Sequence, residues 1–218
     1  MKQQPLSVGL IRVGAASDGL SKSISEFVSD LEGYMAVLKG NEILFFSSTT
    51  GIDEFADCYI RRLSKKKKGS FSLGIGIGAT AYQAAAHARI ALSEAAILGE
   101  KSCLVNEGKQ VMSPFEKQFP LTYDLSITSE VLMKEAKQAG VSAAAYNRLR
   151  SQISRAGKYT FTANDLSAIM GISTRSVHRK LVRWLDEGLI GLAGVEKLSL
   201  KGRPRQLFHL TFLEKEGD

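Results

Sequence analysis

Arg175, His178, Arg179 and Arg183 follow Ser173, Thr174 and Ser176 at steps that gather them at or near one face of a helix, with hydroxyls at its start. An Arg on such a face can give two hydrogen bonds to guanine O6 and N7, worth roughly 1–3 kcal/mol of discrimination. Ser173 and Thr174, at the helix N-terminus, suit a phosphate. The plainer alternative is an amphipathic helix with a solvated basic face. His178 reads as a surface contact and not a metal ligand, because no second ligand stands four residues away.

Those side chains need a rigid support, and the flanking residues predict one. Leu166, Ile169 and Met170 belong to a helix over 163–170, Ile172 to a turn, and Val177, Leu181 and Leu185 to a helix over 174–187. Their spacing is what two crossed helices need to bury their contact. Thr162 with Asp165 predicts a cap for the first helix, Ser173 caps the second, and Gly188 ends it. A preceding helix is expected over 142–156, with Ala145, Leu149, Ile153 and Ala156 as its apolar face. Beyond 189, alternating apolar residues around Lys201-Gly-Arg-Pro-Arg205 predict a hairpin with a basic tip. The stretch 142–213 resembles the winged helix-turn-helix domain of bacterial transcription regulators. That resemblance implies a recognition helix in the major groove of double-stranded DNA, with Lys201, Arg203 and Arg205 along the backbone or minor groove.

The N-terminal half has a different pattern. Strands are expected at 6–14, 34–39, 42–47, 71–78 and 102–106, and amphipathic helices at 19–32, 52–63 and 80–98. Gly40-Asn41 supplies a two-residue hairpin turn. The order βαββαβ, with a further αβ pair, predicts an α+β, ferredoxin-like sheet with helices covering one face. Gly74-Ile-Gly-Ile-Gly-Ala79 mimics a dinucleotide fingerprint, but the small-residue face of the next helix predicts close packing on the strand, with no crevice for a pyrophosphate and no parallel βαβ unit. Lys65 to Lys68 read as a solvated loop at a helix C-terminus.

The stretches Leu38-Lys-Gly-Asn-Glu-Ile-Leu-Phe-Phe and Phe71-Ser-Leu-Gly-Ile-Gly-Ile-Gly-Ala-Thr-Ala-Tyr resemble the nucleotidyl-cyclase fold shared by GGDEF domains and GTP cyclohydrolase III. In that family two carboxylates, one on the first strand and one at the hairpin, hold divalent metals. The corresponding residues here are Arg12 and Asn41, with only Glu42 retained, so the resemblance implies a degenerate domain with no metal, no cofactor and no catalytic residue. Arg12, Asn41 and Glu42 are then candidates for a small anionic or nucleotide effector, unless Arg12 merely points to solvent from a strand end.

Charge divides along the same line. Residues 1–128 hold 14 basic and 13 acidic side chains, whereas 129–218 hold 15 and 9. The positive field therefore belongs to the C-terminal part, as an acidic partner would require. With 44% hydrophobic residues and 23% charged, the chain excludes disorder and fibrous classes. Cys58 and Cys103 form no CxxC or Cys/His cluster, which excludes a zinc finger or disulfide framework and fits a reducing cytoplasm. No membrane span is predicted.

The expectation is a cytoplasmic, homodimeric transcription regulator that is not an enzyme: a sensor or dimerisation domain at 1–108, a connector at 109–141 and a DNA-binding domain at 142–213. The rivals are a GTP-processing enzyme with a basic C-terminal module and a constitutive nucleoid or adaptor protein. The early first strand also suggests an excerpt of a longer protein.

Overall fold

The computed structural model describes residues 6–13, 18–38, 41–47, 71–114, 120–196 and 204–213. The expected helix at 52–63 and the lysine run at 65–68 lie outside the described residues. The chain divides into two compact units, Met1–Thr122 and Tyr123–Asp218. The architecture is mixed α+β, with a mostly antiparallel sheet in the first unit.

The first unit contains β1 (Leu6–Val13), α1 (Asp18–Asp30), β2 (Tyr34–Val37), β3 (Glu42–Ser47), β4 (Phe71–Gly78), α2 (Ala81–Leu98), β5 (Ser102–Val105) and β6 (Gln110–Ser113), and the unit boundary falls within β7 (Leu121–Asp124). The sheet order is β2-β3-β1-β4-β5-β6-β7. β1 lies between β3 and β4, antiparallel to β3 with Ile11 opposite Ile43, and antiparallel to β4 with Ile11 opposite Leu73. β4 and β5 run parallel, as a crossover through α2 requires. A parallel βαβ unit is therefore present where none was expected.

Alternate residues of a strand face opposite sides of the sheet, and the cores separate accordingly. Ile11, Val13, Leu73 and Ile75 pack with Ile24, Phe27, Val28 and Leu31 of α1. Val8 and Leu10 pack with Ala84, Ala88 and Leu92 of α2. The helices expected on one face thus cover two. The cause is the alternation in β4, where Gly74, Gly76 and Gly78 interrupt the large residues and leave one face of the strand bare. A Cβ at Gly76 would stand 2.0 Å from the Ala84 carbonyl oxygen and 2.2 Å from the Ala88 nitrogen. The glycines lie inside a strand under a helix, so despite the parallel crossover they form no phosphate loop.

The second unit contains α3 (Glu130–Gln138), α4 (Ala143–Ala156), β8 (Thr160–Phe161), α5 (Ala163–Met170), α6 (Thr174–Asp186), β9 (Gly191–Glu196), β10 (Arg205–His209) and a 3-10 turn, Thr211–Leu213. The connector at 109–141, in which residues 129–139 have the pattern of a short helix, carries α3 there and also β6 and β7. The sheet order is β8-β10-β9, all antiparallel. One core joins the helices to β10 through Tyr146, Leu149, Leu166, Val177, Leu181, Trp184 and Phe208.

Two details differ from the expected apolar faces. In α4, Ala156 is exposed, while Tyr146 and Arg148 are buried. Arg148 keeps its charge solvated by protein groups: its Nε donates to Tyr123 Oη at 3.1 Å and its Nη1 to the Ile169 carbonyl at 2.6 Å. In α6 the buried stripe is Val177, Leu181 and Trp184, and Leu185 is 36% exposed. Trp184 takes the i+7 position from Val177, which places it more squarely under the helix than Leu185.

Candidate nucleic-acid interface

α6 is held at both ends. Ser173 Oγ accepts from the Ser176 amide at 3.2 Å and lies 2.9 Å from Ser176 Oγ. Thr174 Oγ1 donates to Ser167 Oγ at 3.4 Å, and Ser167 in turn donates to the Ile172 carbonyl at 2.6 Å, closing the turn between α5 and α6. α5 begins with a capping box: Thr162 Oγ1 accepts from the Asp165 amide, and Asp165 Oδ2 accepts from the Thr162 amide at 2.8 Å. Further along, Trp184 Nε1 donates to the Ala139 carbonyl at 2.7 Å, tying α6 to the end of α3.

With one stripe of α6 buried, the opposite stripe consists of Arg175, His178, Arg179 and Val182, all exposed. Among the described residues, Arg175, His178 and Arg179 have no hydrogen-bond or ion-pair partner. Arg183 departs from this group. Its Nε is 2.7 Å from Glu187 Oε1, one helical turn on, and its Nη2 donates to the Gln138 carbonyl at 3.5 Å. Lys180, which the sequence pattern did not single out, donates to the Gly140 carbonyl. Its pKa lies below the usual lysine range, first through burial and then through the nearby Arg183 charge.

Beside the N-terminal half of α6 lies a groove of about 310 Å³, lined by Thr162, Asn164, His178, Arg205, Gln206 and Phe208 among others. His178 therefore belongs both to the exposed stripe and to the groove. Arg205 opens β10 opposite Glu196 of β9, and a register shift follows between Leu207 and Phe208. Lys201 and Arg203 lie outside the described residues. Asn164, Gln206 and Val182 were missed in the sequence because a single neutral side chain carries no periodic or charge signal.

In the first unit, Arg12, Asn41 and Glu42 are brought together. Arg12, the penultimate residue of β1, lies between Glu42 of β3 and Ser72 of β4. Its Nη2 and Nε both donate to Glu42 Oε1, at 2.9 and 3.1 Å. Asn41 has a left-handed φ of 64°, and its carbonyl accepts from the Val13 amide at 2.9 Å. The guanidinium thus takes up the Glu42 carboxylate. Among the described residues no three His, Cys, Asp or Glu side chains form a metal-binding group, and no helix is long and apolar enough to cross a membrane.

No family model matches the chain, and no curated protein matches it. Solved structures with some likeness include adenylate cyclases from Trypanosoma brucei in their monomeric state, at 10% identity and a TM-score of 0.21, covering 99% of this chain and 93% of that one. The adenylyl cyclase CyaB from P. aeruginosa is similar at 10% identity and a TM-score of 0.19, covering 94% of this chain and 93% of that one. At such scores the likeness is weak, and no activity of this chain follows from it.

Proposed function

We propose that residues 142–213 form a winged helix-turn-helix that binds double-stranded DNA, and that the chain is a cytoplasmic transcription regulator. The observation that carries this reading is the stripe Arg175, His178 and Arg179 on the outer face of α6, exposed and unpaired among the described residues. Three unpaired donors on one helical face match the edges that a major groove presents. The element order α4-β8-α5-α6-β9-β10, with β10 between β8 and β9, supports it, as does the basic excess of residues 129–218. Within this reading α6 reads bases, Ser173 and Thr174 approach a phosphate, and Arg205, with Lys201 and Arg203, follows the backbone.

The first unit, in this reading, is a degenerate cyclase-like module that senses an anionic ligand or joins two chains, and it is not an enzyme. The Arg12–Glu42 ion pair supports that view, because a metal site would need Glu42 free. The test is binding of the full chain to duplexes selected from a random pool, against unselected duplex, as salt is raised. Preference for a recovered sequence that weakens with Arg175→Ala and with Arg179→Ala supports the proposal. Equal affinity for all duplexes, unchanged by either variant, refutes it.

A further inference from the structure

Among the described strands, β2 lies at one end of the first unit's sheet. All four of its residues are exposed, with Tyr34 at 82%, Val37 at 72% and Met35 at 39%, and none is charged. Backbone groups of an edge strand point alternately toward the neighbour and away from it. The Leu38 amide donates to the Glu42 carbonyl at 2.7 Å, so the backbone groups of Ala36 and Tyr34 also face β3. Those of Met35 and Val37 consequently face outward. Natural edges are normally blunted by a lysine, a proline or a bulge, and β2 contains none, its register with β3 running unbroken from Tyr34 to Val37.

We propose that this edge pairs with β2 of a second copy of the chain, antiparallel about a two-fold axis at Ala36, so that the sheet continues across the dimer. The register is self-complementary. Met35 of each strand lies opposite Val37 of the other, and their outward amides and carbonyls make four hydrogen bonds. Tyr34 lies opposite Leu38, and Ala36 opposite its own copy, so every facing pair is apolar. Charge favours a second copy through this unit, because residues 1–128 are nearly neutral with 14 basic and 13 acidic side chains, whereas the excess of 129–218 repels itself. The inference is independent of the DNA-binding proposal.

Light scattering on the full chain, without DNA, tests it. The wild type is expected at twice 23.7 kDa. Val37→Pro removes an outward donor while sparing the β3 ladder and is expected to give a monomer with an unchanged circular dichroism spectrum. The double variant Met35→Lys, Val37→Lys puts like charges opposite each other and is also expected to be monomeric. Met35→Glu with Val37→Lys puts opposite charges face to face only in this register, and it is expected to restore the dimer. A monomeric wild type, or a dimer that survives the double lysine variant, overturns the proposal.

Discussion

Arg12 and Glu42 face each other across the β1–β3 ladder, with both Nε and Nη2 of the arginine on the same carboxylate oxygen. Arg12 is 55% exposed and Glu42 25%, so the pair is worth only about 0.2–1 kcal/mol to folding and its loss should leave the fold intact. In the proposed reading an anionic effector at Arg12 competes with Glu42 for the guanidinium. Glu42→Gln is therefore expected to enlarge the rise in melting temperature caused by GTP without magnesium, and Arg12→Ala to abolish it. Magnesium-dependent GTP turnover lost in Glu42→Gln would instead restore the enzyme reading.

Gly76→Ala should be among the most damaging single substitutions in the first unit. The added methyl meets backbone of α2 at 2.0 and 2.2 Å, not a flexible side chain, so the helix must lift from the strand. A loss on the order of 4 kcal/mol is expected in urea unfolding monitored on the first unit. Gly99→Ala is a contrasting case: nothing stands within 4 Å of its Cβ, and only its left-handed φ of 66° resists the change. It should cost far less, about 1 kcal/mol.

Tyr146 is buried and donates to Glu135. Burial, then this hydrogen bond and the carboxylate charge, push its phenol above the usual tyrosine range. In the unfolded chain it titrates near pH 10. Above that pH the unfolded state binds fewer protons than the folded one, so this contribution to stability is complete below about pH 10 and falls as pH rises further. Chemical unfolding followed from pH 8 to 11 should show this alkaline loss in the wild type, and Tyr146→Phe should flatten it.

Much of this molecule could be read from residue patterns, and the failures have physical causes. Residue patterns located α1 to α6, and the caps at Thr162 and Ser173 form as their side chains predict. β8, only two residues long, carries too little pattern to see. The two-sided sheet was missed because glycine contributes nothing to a hydropathy pattern, although in β4 it decides which face receives a helix. Basic residues on α6 were legible as a group, but their division was not: Arg183 and Lys180 are taken up by Glu187 and the carbonyls near the end of α3, contacts 40 or more residues away in sequence for the carbonyl partners.

That division among the arginines gives the most direct test of the proposed function. Specific and random duplexes are titrated with the wild type and with Arg175→Ala, Arg179→Ala, Arg183→Ala and Arg205→Ala. Arg175→Ala and Arg179→Ala are expected to lose roughly 1–3 kcal/mol on the specific duplex and to relax preference at one base pair each. Arg205→Ala should weaken both duplexes alike, and Arg183→Ala should change base preference least, since its guanidinium is already bound to Glu187. Equal losses on specific and random DNA for all four variants would contradict the assignment of α6 as the reading helix.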